Sequence, residues 1–143
     1  MFLLDTNIVS AMMRRAPSPE VAAWISRQPP ELLFTASVCQ AEILAGIAIL
    51  PEGRRRRELE AAAHAVFSED FERRVLAFDM RAAGAYAEMF AARRRAGRPV
   101  STIDLMVAAI ARSHGASVVT RNVNDFDSCG VDIIDPWSSR EAC

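Results

Sequence analysis

Five short apolar runs, set apart by stretches of helical length, restrict this fold more than any other feature of the chain. They are Phe2-Leu3-Leu4, Leu32-Leu33-Phe34-Thr35, Val75-Leu76-Ala77-Phe78, Ser117-Val118-Val119-Thr120 and Asp132-Ile133-Ile134. Each is long enough for a buried strand. Between them the pattern changes to helix. Asp5-Thr6-Asn7 are helix-capping types ahead of the apolar stretch Ile8 to Met13. Pro19 opens a second helix through Trp24 and Ile25, which ends before Pro29-Pro30. Ser37 with Gln40 reads as a capping box for a helix through Ile43, Leu44 and Ile47 to about Leu50.

A charged helix follows from Gly53 to Phe67, with Leu59, Ala62, Ala63 and Val66 as its apolar face. Met80 to Ala96 is the longest, apolar at Ala83, Tyr86, Ala87 and Phe90 and stopped by Gly97 and Pro99. Ser101 to about His114 is nearly apolar all round, which predicts burial, and Gly115 is its stop. Strands that alternate with helices through short crossovers predict a mainly parallel sheet in an α/β sandwich. With 143 residues and no repeat or linker, residues 1–143 are expected to form a single domain.

Composition narrows the chemistry. The chain has 17 basic and 18 acidic residues, a formal charge of −1, so its bulk charge neither marks nor excludes a nucleic-acid partner. Every basic residue is Arg, which removes any mechanism built on an amine: a Schiff base, a P-loop lysine or a phosphate-reading ammonium. Cys39, Cys129 and Cys143, with His64 and His114, have no metal spacing, and no zinc site or disulfide framework is expected. No apolar run approaches the length of a bilayer span, and Met1-Phe2-Leu3-Leu4-Asp5 lacks the basic start of a signal peptide. A reducing cytoplasm, with no membrane partner, is the expected location.

In an open α/β sheet, sites form beyond the carboxyl ends of the strands. Asp5 directly follows the first run, Glu42 lies in the opening turns of the helix after the second, Asp104 in the first turn of the near-apolar helix, and Asn122 and Asp125 follow the fourth run. Carboxylates gathered in one cleft repel, and each needs a partner or a raised pKa. With no Lys in the chain and Arg121 alone close in sequence, a divalent cation is the natural partner. Oxygen ligands favour Mg²⁺ or Mn²⁺. Simpler roles stand beside these: Asp5 as a cap, Asp104 as the third-position acid of a box begun by Ser101, Asp125 as a turn former.

Leu4-Asp5-Thr6-Asn7, the Glu42 helix, Thr102-Ile103-Asp104-Leu105-Met106-Val107-Ala108-Ala109-Ile110-Ala111, Thr120-Arg121-Asn122-Val123-Asn124-Asp125-Phe126 and Pro136-Trp137 together resemble a PIN-domain ribonuclease. Within that family the chain is similar to the VapC toxins of type II toxin–antitoxin systems, and among them to FitB-like proteins. The resemblance implies a three-layer α/β/α sandwich and Mg²⁺-dependent cleavage of RNA, with Mn²⁺ as a substitute. In-line attack by a metal-activated water would leave a 5′-phosphate and a 3′-hydroxyl.

By that analogy Asp5 and Asp104 are the principal metal ligands, and Glu42 completes the pocket directly or through water. Thr6, Asn7 and Thr120 would orient the carboxylates. At the fourth corner this chain has the neutral Asn122 where some members carry Asp; either Asn122 supplies a weaker ligand or Asp125 swings in. That implies one tight metal and a second only with RNA bound. Further implied are a cognate VapB/FitA-like antitoxin that silences the toxin, a homodimer, and a larger toxin–antitoxin assembly. Apolar surface for such partners would come from Met12, Met13, Trp24, Ile47, Ile49 and Leu50. Arg54 to Arg57 and Arg93 to Arg95, Arg54, Arg55, Arg93 and Arg94 among them, and also Arg121 are candidates for RNA contact, set against pairing with Glu58, Glu60 and Glu88 on solvated faces.

Two other Mg²⁺-binding architectures fit less well. A phosphoacceptor receiver module and a haloacid-dehalogenase-like phosphatase each need a lysine, and the latter an Asp-x-Asp where this chain has Asp5-Thr6-Asn7. The alternative kept beside the nuclease is a PIN fold that serves as a catalytically weak or inactive binding module, for which Asn122 is the motivating residue. Cys39 has no paired base in sequence and is set aside as a nucleophile.

Overall fold

The computed structural model describes residues 1–127 and 129–138; Cys143 lies outside them. Five strands among the described residues, β1 (Phe2–Leu4), β2 (Leu33–Ala36), β3 (Val75–Leu76), β4 (Ser117–Val119) and β5 (Ile133–Ile134), form a sheet in the order β3-β2-β1-β4-β5. Every pairing is parallel, with Leu3 opposite Phe34 and Val118, Thr35 opposite Val75, and Val118 opposite Ile133. The sheet is therefore parallel throughout these pairs, not merely in the main.

Seven helices make the crossovers between described strands: α1 (Thr6–Met12) and α2 (Pro19–Ser26), α3 (Ser37–Ala48) and α4 (Arg54–Ala65), α5 (Met80–Arg95) and α6 (Thr102–His114), and the short α7 (Val123–Phe126). Successive strand residues face opposite ways. Leu3 and Val118 point into a core with α5, α6 and α7, whereas Leu4 and Val119 join Ile8, Val9, Val21, Trp24 and Ile47 on the other face. α3 contributes Val38 and Cys39 to the first core and Ile43 and Ile47 to the second. The result is the three-layer α/β/α sandwich.

Three local expectations need correction. Leu32 lies in a 3₁₀ turn, Pro30–Leu32, and is 38% exposed, so β2 begins at Leu33. The Ser37–Gln40 capping box does not form: Ala36 is the N-cap, in extended backbone and without a side-chain bond. β2 runs straight into α3, which makes Ser37 the first helical residue and removes it from the capping position. The inner stripe of α5 is Ala82, Met89 and Arg93; Ala83, Ala87 and Phe90 are exposed and Tyr86 is half-buried. Small Ala82 and flexible Met89 fit against α6, while the aromatic rings form an outer seam, Tyr86 edge-on to Phe78 at 6.0 Å and stacked on Phe90 at 6.0 Å. Gly97 and Gly115 both take the left-handed conformation expected of helix stops.

Candidate active site

The chain reverses its direction of travel across the sheet between β1 and β4, and such a switch point opens a crevice at the strands' carboxyl ends. Asp5 stands there as the residue after β1 and the N-cap of α1. It is 2% exposed, and its carboxylate meets donors on both oxygens. Oδ1 accepts from the Thr6 amide at 2.8 Å and, weakly, from the Cys39 thiol at 3.9 Å. Oδ2 accepts from the Thr120 hydroxyl at 2.9 Å and from Asn7 Nδ2 at 3.5 Å. Burial nonetheless pushes Asp5 up to about 6; the donors oppose that, and the charges of Asp104 and Glu42 add to it.

Thr6 links two acids, because its amide binds Asp5 and its hydroxyl donates to Glu42 Oε1 at 2.6 Å. Glu42 is exposed at the rim despite its apolar sequence neighbours, since α3 turns Ile43 inward beside it. Thr120, fully buried just beyond β4, donates to Asp5 and accepts from Asn7 Nδ2 at 3.2 Å and from the Asn122 amide at 3.0 Å. Asn7 in turn accepts from the Arg121 amide at 3.2 Å, which ties the loop after β4 to the start of α1.

Asp104 sits half-buried in the first turn of α6, where its amide donates to the hydroxyl of the N-cap Ser101. Its carboxyl is raised, first by burial and then by the charges of Asp125 and Glu42, against the Ser101 hydroxyl. Asp125 and Asn122 are exposed at the start of α7. The four acids thus act on one another electrostatically, and the charges that push Asp5 and Asp104 upward are carboxylates.

This donor set fits a hard divalent cation: oxygen atoms, mutual repulsion in want of a counter-charge, and one carboxylate already desolvated. Among the described residues no three His, Cys, Asp or Glu side chains converge closely enough to enclose an ion by themselves. Burial, followed by Asp5's charge, pushes the Cys39 thiol up to about 12; it is a buried donor beside Asp5, not a nucleophile.

A groove of about 440 Å³ leaves the site between α1, α3 and α4, lined at one end by Thr6 and Glu42 and farther along by Met13, Arg14, Leu50 and Arg55. Ser10 and Arg14 also border it; sequence reasoning passed them over, although Thr6 and Ser10 are spaced by four on α1 and so share a helix face. Of the apolar residues considered for partner contact, Trp24 and Ile47 are core, while Ile49 is 85% exposed. Among the arginines, Arg54 pairs with Glu58 and Arg56 with Glu60, each at 2.9 Å, and Arg94 is exposed. Arg93 departs from expectation. It is 6% exposed, and its guanidinium donates to the Asp127 carbonyl, because it lies on the inner stripe of α5 and not on the solvent face. Glu88 pairs with Arg112.

Residues 2–130 match the PIN domain family. The chain is a PIN domain. It is 41% identical to plasmid stability protein StbB of Pseudomonas syringae pv. tomato, over 97% of this chain and 100% of that one. To the VapC ribonuclease Y4jK of Sinorhizobium fredii it is 35% identical, over 96% and 98% of the two chains. The solved structure of FitAB bound to an IR36 DNA fragment contains a chain that superimposes on this PIN domain with a TM-score of 0.90, at 29% identity and covering 100% of both. Two of these relatives thus carry the VapC and FitAB names. No helix of this PIN domain, among the described residues, is long and apolar enough to cross a membrane.

Proposed function

We propose that this PIN domain, residues 1–143 acting as a single unit in the cytoplasm, is the toxin of a type II toxin–antitoxin pair: a Mg²⁺-dependent endoribonuclease silenced by a cognate VapB/FitA-like antitoxin. The observation that carries the reading is Asp5, a desolvated carboxylate with donors on both oxygens and further acids as its charged neighbours. A carboxylate kept there at a cost in stability is placed for a cation, and perturbed acids of this kind cluster at functional sites.

Asp5 and Asp104 would hold Mg²⁺, or Mn²⁺ in its place, with Glu42 completing the pocket and Asn122 or Asp125 at its open corner. The ion supplies activation of water and withdrawal of charge from a phosphoryl oxygen. The chain's own residues fix the geometry. Thr6 spaces Asp5 from Glu42, Thr120 and Asn7 set the rotamer of Asp5, and the α6 N-terminus presents Asp104. Hydrolysis joins a water oxygen to phosphorus and releases the 3′-oxygen, leaving 5′-phosphate and 3′-hydroxyl ends. A homodimer, and a larger assembly with antitoxin, complete the proposal. A binding module without catalysis is the second reading, favoured by the neutral Asn122.

The test incubates antitoxin-free protein with total cellular RNA in Mg²⁺, Mn²⁺ or EDTA, beside Asp104→Asn. Metal-dependent cuts with 5′-phosphate ends, absent from the variant, are expected. A folded, metal-binding protein that leaves all RNA intact would support the binding module instead, and a protein that binds no metal would overturn the acidic site itself.

A further inference from the structure

Arg121 and Trp137 form a contact for which the proposed chemistry has no use as yet. Arg121 directly follows Thr120, whose hydroxyl holds Asp5, and its own amide is fixed by Asn7. Its guanidinium lies over the Trp137 ring, 4.7 Å from the centroid. The indole is held in turn. The Thr120 amide donates to the Ile134 carbonyl at 2.9 Å, which carries the chain after β5 alongside the site. Asp135 Oδ1 then accepts from the Trp137 amide at 2.9 Å, closing a turn around the buried Pro136, and the ring packs partly buried on the core that contains Leu4 and Ile8.

The arrangement is notable for a missing contact. Arg121 is exposed, and among the described residues it makes no ion pair within 4.0 Å. Glu20 feels its charge, though that carboxyl is lowered first by the Ser18 hydroxyl. Stacking on an indole holds the guanidinium flat while its N–H fork stays open.

We propose that Trp137 is a positioning residue that parks Arg121 beside the acidic site, where the guanidinium grips a phosphate of single-stranded RNA. The assignment rests on the ribonuclease reading and adds to it the polyanion-holding half that the four acids lack. An acidic pocket repels an RNA backbone, and a cation held off the acids offsets that repulsion without neutralising the groups that are to hold metal.

The test uses full-length protein carrying Asp104→Asn, which removes cutting, and a fluorescein-labelled single-stranded RNA of mixed sequence in EDTA at several salt concentrations. Arg121→Ala should weaken binding about 10-fold and reduce the salt slope by about 0.7, the value of one single-strand phosphate contact. Trp137→Ala should weaken it comparably, Trp137→Phe should retain most of the affinity through its aromatic face, and Arg121→Lys should fall between wild type and Arg121→Ala. In the double variant the Trp137 change should add nothing further.

Unchanged affinity and slope in Arg121→Ala would overturn the phosphate contact. A Trp137→Ala loss that persists in full without Arg121 would overturn the positioning role, and Trp137→Phe settles the matter should Trp137→Ala not fold. Cutting by the parent protein separates the two proposals. Weakened binding in a protein that never cuts would sink the ribonuclease and leave the clamp, whereas cutting with binding unmoved would sink the clamp alone.

Discussion

The two sides of the acidic site are built on opposite terms. On the inner side Asp5 is buried at a strand end, with four donors arranged around it and a carboxyl pushed up to about 6. On the outer side Asp104 lies half-buried on a helix turn while Asp125, Asn122 and Glu42 face solvent. The inner carboxylate is fixed before anything binds, and the fold bears the cost of its charge. The outer groups are more exposed, and Asp125 and Asn122 stand at the start of the short α7 at the surface. The proposed ribonuclease, which would take a cation and then a long polyanion, needs both: a rigid anchor for the ion and a compliant rim around it.

Replacing either principal acid, Asp5 or Asp104, should give the largest effect, and the same effect, on catalysis. Asp5→Asn and Asp104→Asn are each expected to cut RNA slower by on the order of 1000-fold, the upper range for removing one electrostatic group from an active site. Their stabilities should then part. Asp104→Asn relieves repulsion and is expected to melt at or above wild type. In Asp5→Asn the relief is offset, because an amide nitrogen at Oδ2 would face Thr120 Oγ1, which already accepts from Asn7 and Asn122. Equal melting shifts for the two variants would erase the distinction between the sides.

The pH dependence follows from Asp5 with a definite sign. Its folded pKa of about 6 stands above its ordinary 3.8, so between those values the native state binds more protons than the unfolded chain. Stability of the metal-free protein should fall as pH rises through this window, by about 3 kcal/mol from this group, with the full penalty present above about 6. Asp104 is raised as well and acts in the same sense. Denaturant titrations in EDTA at about pH 4.5 and 7.5 should show the loss, and Asp5→Asn should flatten it. Since Mg²⁺ needs the ionised form, its stabilising effect should grow over the same window. A parent protein whose pH profile matches that of Asp5→Asn would remove the inner anchor from the argument.

Thr120→Val breaks the inner side more gently. It deletes the hydroxyl that donates to Asp5 and receives the Asn7 and Asn122 donors, leaving buried polar groups short of a partner. About 1–3 kcal/mol of stability and a 10- to 100-fold drop in cutting are expected, read by denaturation and by initial rates.

Most of this architecture is legible in the sequence, and its largest misreading has a physical origin. The strands and the acids at their ends are fixed by strong local signals: apolar runs that stop at Asp5 and Thr120, and helix stops at Gly97 and Gly115. What pattern reading misjudges is rotation about a helix. α5 is rich in Ala on every side, so nothing in its apolar spacing distinguishes the Ala82–Met89–Arg93 stripe from one turned by a single residue, and Arg93 is misplaced with it. The Arg121–Trp137 contact joins residues beyond two neighbouring strands and depends on strand order, which no local motif encodes.

The smallest effects test the comparison most finely, because they place one new charge on each side. Asn122 is exposed, and its carboxamide makes no hydrogen bond among the described residues. Asn122→Asp should therefore cost the metal-free protein no more than about 1 kcal/mol, since like charges at the surface are well screened. In exchange it should tighten Mg²⁺ binding by up to about 10-fold by calorimetry, one added carboxylate being worth about one pKa unit of attraction. Asn7→Asp adds the same charge against Asp5 and removes the donor to Asp5 and Thr120. Its cost should be severalfold greater, and it should push Asp5 higher still, so that metal binding near neutral pH gains little or weakens. If the two substitutions instead cost the same, the inner side is no more desolvated than the rim, and rigid anchor and compliant rim are one surface.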